Sequence, residues 1–184
     1  MSTPKRSPAR RAAFLGSMTA LALILSYVES FVPMPLAGVK LGLANLVAVF
    51  ILYREGVWRA AGVSMLRVLL SSLLFGSTVS LAYSLAGAAL SMAAMALLRL
   101  TDRFSPLGVS IAGGVMHNAG QIIVCCLLLD TAAVAAYLPV LIVSGSVAGV
   151  AIGALAALLL RRVGDETGDE NVGDFAKSPT PRKP

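Results

Sequence analysis

The chain has 184 residues, of which 57% are hydrophobic and 13% charged, with a mean hydropathy of +0.83. A soluble domain carries roughly twice that share of charge, so these figures exclude a soluble enzyme and point to one bundle of membrane helices. The net charge of +6 comes from basic residues confined almost entirely to the connections between apolar runs, which excludes a nucleic-acid footprint and leaves a topology signal.

Residues 1–11 (MSTPKRSPARR) are polar and basic, and read as a disordered cytoplasmic arm. No removable secretory signal is expected, because the apolar run that follows is too long and too well integrated. A six-helix transmembrane domain is expected over residues 12–162. Its first span covers about 12–31, where Ala12, Gly16 and Ala20 form a small-residue stripe that lets another helix approach closely. Pro33 and Pro35 end it, and the PMPLAG segment reads as an extended or re-entrant loop. Span two, about 41–53, is short for a full crossing.

Span three, about 57–75, carries Arg67 near its middle, and span four, about 78–98, is rich in Ala, Gly and Ser. Span five follows from residue 107. Span six, about 133–160, repeats glycine at 145, 149 and 153, again a close-packing face. Residues 163–184 are polar, acidic and then Pro/Lys-rich, and read as a disordered tail. Of fifteen Lys and Arg residues, thirteen fall on the side of the two termini, and the positive-inside rule makes that side cytoplasmic. The expected location is a bacterial inner membrane.

The stretch 110–121, SIAGGVMHNAGQ, places polar side chains where a span is driest. His117 and Gln121 are four apart and share a helix face, with Ser110 and Asn118 beside it. At 1.5 Å per residue, Arg67 and His117 both lie roughly 15 Å from the cytoplasmic surface, near the midplane. Asn45, Glu29, Tyr83 and Ser84 fall in the outer half. Polar groups this deep are costly and normally turn inward, towards partners or a cavity. They could satisfy one another and fix the packing. Alternatively they line an outward pocket for a polar or anionic small molecule, with Arg67 as charge anchor, Asn45, His117, Asn118 and Gln121 as hydrogen-bond partners, and the loop with Lys40 as lid.

One histidine and two adjacent cysteines, Cys125 and Cys126, make no metal set of ordinary spacing, and no metal or cofactor is expected. No Walker loop or nucleophile elbow is present. The acidic run from Asp165 to Glu170 superficially looks like a diphosphate-binding motif, but has no second acidic motif to pair with. The chain is therefore not expected to be an enzyme on its own.

The segments GVKLGLANL (39–47), LRVLLSSLLFGS (66–77), LAYSLAGAALS (81–91), GVSIAGGVMHNAGQ (108–121) and YLPVLIVSGSVAGVAIG (137–153) resemble the Gx transporter family, also labelled heptaprenyl diphosphate synthase component I. That family is similar to the S components of energy-coupling factor transporters. The resemblance implies six helices, both ends cytoplasmic and a ligand pocket opening outward beneath the first loop. It implies a transmembrane coupling subunit docked on the stripe Ala12, Gly16 and Ala20, with ATPases behind it. The rival expectation is a non-transport membrane subunit of a prenyl diphosphate or quinone synthesis system, or of a flavin-linked extracellular electron-transfer module.

Overall fold

The computed structural model describes residues 7–31, 42–101 and 103–167. Lys40 and the PMPLAG segment lie outside the described residues. The elements in chain order are α1 (Pro8–Ser30), α2 (Asn45–Arg54), α3 (Val57–Phe75), α4 (Thr78–Leu100), α5 (Pro106–Leu128), a 3-10 turn over Ala132–Tyr137, and α6 (Leu138–Thr167). Among the described residues there is no strand. Five of the helices are long and apolar enough to cross a membrane, and α2 is shorter. The chain is an all-α, multi-pass membrane protein.

Two helix ends differ from the sequence reading for local reasons. The first helix takes in Pro8–Arg11, residues assigned above to the arm. Ser7 Oγ accepts from Arg10 N–H at 3.4 Å, and Pro8 sits in the first helical turn, where its missing N–H costs nothing. In α2, helix begins at Asn45 rather than near residue 41. Gly42 has φ +72°, a left-handed conformation that glycine adopts without strain. The turn it starts is closed by Asn45 N–H donating to Gly42 O at 2.8 Å.

Helix α2 is the centre of the core. Its 10 residues rise about 15 Å, half a membrane's apolar thickness, and every one from Val47 to Tyr53 is buried. Ala60 and Val63 of α3, Met92 and Met95 of α4, Val109 of α5, and Ala156 and Leu160 of α6 pack around it. This dry core fills the half of the bundle nearest the start of α1. Arg11 of α1 and Arg59 of α3 reach the Glu55 carboxylate at 3.5 and 3.4 Å. Tyr53 O–H donates to Phe104 O at 3.0 Å, with Arg99 over the Tyr53 ring at 4.8 Å. These contacts tie α1, α2, α3 and α4 to the α4–α5 connection at one basic end.

The glycine stripe of α6 packs directly on α5. A Cβ on Gly145 would stand 2.8 Å from Gly114 O, one on Gly149 2.6 Å from Ile111 Cα, and one on Gly153 2.8 Å from Leu107 Cα. Backbone-to-backbone approach this close admits no side chain. Helices α4 and α5 meet the same way, since a Cβ on Gly120 would lie 2.6 Å from Ala86 O. The stripe on α1 is different. Ala12, Gly16 and Ala20 are exposed, and a Cβ on Gly16 would meet nothing within 4 Å. They floor an open apolar groove between α1 and α3, walled by Leu23, Leu66 and Leu70, with Arg59 among its lining residues.

Candidate functional site: a polar cleft above the short helix

Because α2 spans only half the bundle's length, the other half has, among the described residues, five long helices around it and no sixth. A cleft opens there, with about 570 Å³ of space between its atoms when its open mouth is included. Its enclosed part holds little more than a water or two.

Each helix contributes to the cleft. Glu29, next to last in α1, accepts a hydrogen bond from Gly42 N–H through its Oε1, so the turn before α2 is fastened to the end of α1. Asn45 is the first residue of α2, whose N-terminus carries no side-chain cap. Arg67 comes from α3; its Nη1 donates to Ser26 Oγ of α1 at 3.1 Å, and Glu29 is the carboxylate that opposes its charge. Ser84 comes from α4, and Ser110, His117 and Asn118 from α5. The α5 residues face the cleft because glycines fix the rotation of that helix. Gly87 of α4 leaves room for the imidazole, where an added Cβ would lie 2.8 Å from His117 Cε1. The Asn118 amide crosses to α6 and donates to Leu141 O at 2.8 Å.

Of the residues singled out in the sequence, Glu29, Asn45, Arg67, Ser84, His117 and Asn118 line this one cleft. Tyr83 and Gln121 are not among its lining residues. Gln121 is buried with Oε1 unpartnered among the described residues. The wall from α6, made by Gly145, Ala148, Gly149 and Ile152, was not read from the sequence as part of a site. Its signal is the glycine stripe itself, since helices that meet this closely leave their neighbouring residues to shape a cavity. Ser110, noted above only as beside the polar face, is fully buried, and its hydroxyl has no partner among the described residues. Both cysteines are free, and the described residues contain no cluster of three metal-ligating side chains.

Chemically, the cleft offers one guanidinium, one carboxylate, one imidazole, two amides and two hydroxyls inside an apolar shell. That defines a helical membrane subunit with an internal polar site, and the arrangement suits hydrogen-bonded recognition of a small molecule. Residues 18–159 match the family described as heptaprenyl diphosphate synthase component I. The chain belongs to that family, whose description makes it one component of a larger assembly. Neither a curated protein nor a solved structure matches the chain.

Proposed function

We propose that the chain is the substrate-binding subunit of a membrane uptake system, similar in plan to the S components of energy-coupling factor transporters. It captures a small polar or anionic molecule from outside and works with partners that supply transmembrane coupling and ATP hydrolysis. On this reading the basic end and both termini are cytoplasmic in a bacterial inner membrane, and the cleft faces the outside. The chain is then a binding subunit and not itself an enzyme. The observation that carries the reading is the convergence of Glu29, Asn45, Arg67, Ser84 and His117, from five different helices, on one cleft. Polar groups at this depth either pair or serve a guest, and the buried Ser110 hydroxyl of the same cleft has no partner among the described residues. The open α1–α3 groove supports a docked coupling subunit on Ala12, Gly16 and Ala20. The test is native mass spectrometry of the detergent-purified protein. A small molecule that co-purifies with wild type and is lost from Arg67→Ala supports the reading, and one retained by that variant overturns it.

A second reading is favoured by the family description and by the same apolar groove. The chain would be a non-transport membrane subunit of a prenyl diphosphate or quinone synthesis system, or of a flavin-linked extracellular electron-transfer module. Stable co-purification with a soluble synthase and no bound small molecule would select it.

A further inference from the structure

The groove between α1 and α3 has a length and a charge that point to its occupant. Its space is about 990 Å³ when the open side is included. Gly16 and Gly62 both line it, and a Cβ on either would meet nothing within 4 Å. Leu15 and Leu23 of α1 and Leu66 and Leu70 of α3 wall it. Thr19 adds no open polar group, since its hydroxyl donates to Leu15 O at 2.9 Å. The lining runs from Ala12 to Leu23 on α1 and from Arg59 to Leu70 on α3. Each stretch rises about 16 Å, close to the apolar depth of one leaflet. Towards the far end the two helices are joined, by Arg67 Nη1 on Ser26 Oγ at 3.1 Å and by the Tyr27 and Phe75 rings, 5.5 Å apart. A linear apolar chain reaching in from one leaflet matches that length.

The near end is polar and positive. Arg59 lines the groove, and Arg11 stands one turn before Leu15 on the same side of α1. Their guanidiniums meet at one atom, Glu55 Oε2, at 3.4 and 3.5 Å. Two cations therefore share that carboxylate. The Glu55 side chain is 7% exposed, against 39% for Arg11 and 40% for Arg59, so the carboxylate lies beneath and the cations lie outside. Among the described residues Arg59 engages Glu55 through Nη1, which leaves its Nε and Nη2 donors for another acceptor. Trp58, one turn before Gly62, is 89% exposed and marks this end as the headgroup level, where tryptophan is enriched. The guanidinium fork suits the oxygens of a phosphate, and basic side chains at that level attract anionic lipid.

We infer that the α1–α3 groove is a site for an acidic phospholipid of the leaflet at the basic end. One acyl chain lies over Gly16 and Gly62, and the phosphate is held by Arg59 with Arg11 beside it. The site is separate from the polar cleft, and a coupling subunit docked on Ala12, Gly16 and Ala20 would displace the lipid.

The experiment titrates the delipidated full-length protein, in detergent, with phosphatidylglycerol and with phosphatidylcholine of identical acyl chains. Binding is read by native mass spectrometry and by thermal stabilisation. The first phosphatidylglycerol is expected to bind about fivefold tighter than the first phosphatidylcholine, the effect of roughly one basic side chain at a membrane surface. Arg59→Gln should remove most of that preference. Because this variant also leaves Glu55 with one partner fewer, Gly62→Leu is the deciding one: it fills the groove and keeps every charge. It should weaken phosphatidylglycerol binding at least fivefold without lowering the unliganded melting temperature. Equal affinity for the two lipids, or a preference kept by a folded Arg59→Gln, overturns the phosphate assignment. Phosphatidylglycerol binding that Gly62→Leu leaves unchanged overturns the groove as its site.

Discussion

Arg67 and Ser110 show how differently two residues of one cleft bear on stability and binding. Arg67 holds Ser26 across the α1–α3 boundary at 3.1 Å and is opposed by Glu29, so it contributes to the fold as well as to any guest. Arg67→Lys keeps the charge but loses the planar fork. It is expected to insert and fold, and to bind a carboxylate ligand at least tenfold more weakly, measured by equilibrium dialysis. The buried Ser110 hydroxyl has no partner among the described residues. Removing its hydroxyl breaks no hydrogen bond among the described residues and relieves a buried unpaired group, so Ser110→Ala should leave unfolding stability unchanged or raise it by about 1 kcal/mol. A hydrogen bond of about 0.5–1.5 kcal/mol to a ligand would still be lost, or roughly 2–10-fold in affinity. Comparing chemical denaturation with binding for that one variant separates the two. The sequence made residues of this kind visible because a charge or amide inside a long apolar run stands out on its own. It did not reveal whether a side chain faces the cleft. Tyr83 has a suitable depth, yet it is not among the residues that line the cleft. The rotation of α4 and α5 is set by Gly87 and Gly120 against the neighbouring helix, which no single helix encodes.

Glycines separate two kinds of helix face at the level of elements. The stripes on α1 and α6 look alike as letters, and both promise close approach. On α6 the promise is met inside the chain, against Leu107, Ile111 and Gly114. On α1 the space beside Gly16 is empty. Gly145→Ala would force its methyl against the α5 backbone and should destabilise the isolated protein by about 1–3 kcal/mol. Gly16→Ala meets nothing and lies in a helix, so it should be neutral or stabilising by up to about 1 kcal/mol. Thermal unfolding in detergent distinguishes the two, and equal destabilisation would mean that α1 has an internal partner. In a membrane assembly Gly16→Leu should weaken co-purification of a docked subunit without altering ligand affinity, whereas lost affinity with intact co-purification would reverse the assignment. The long helices were legible because apolar runs of about twenty residues have few other uses. The late start of α2 was not. It depends on Gly42 taking φ +72°, and the letters Lys-Leu-Gly-Leu fit a continuing helix equally well.

Taken whole, the molecule is asymmetric along its axis, and the asymmetry follows from the length of α2. Where α2 runs, consecutive buried residues from Val47 to Tyr53 and the Arg11–Glu55–Arg59 contacts make a closed, rigid end. Beyond Asn45 the same helices enclose a cleft too narrow in this state for more than a water or two, so on the proposed binding reading a guest requires the helix ends around the cleft to part. Among the described residues, Gly42 N–H donates to the Glu29 carboxylate, a hydrogen bond that joins the end of α1 to the turn before α2. Glu29→Ala should remove it, shift the population towards an opened cleft and leave the packed end intact. The measurement is labelling of Asn45→Cys, in a Cys125→Ser, Cys126→Ser background, by a membrane-impermeant thiol reagent in oriented vesicles. With Glu29 present, labelling is expected to be slow and to occur only from the side opposite the termini. With Glu29→Ala it should be several-fold faster from that side and still absent from the basic side. Unchanged rates would mean that Glu29 is not the fastening, and labelling from the basic side would mean that the packed half is not the barrier its burial implies.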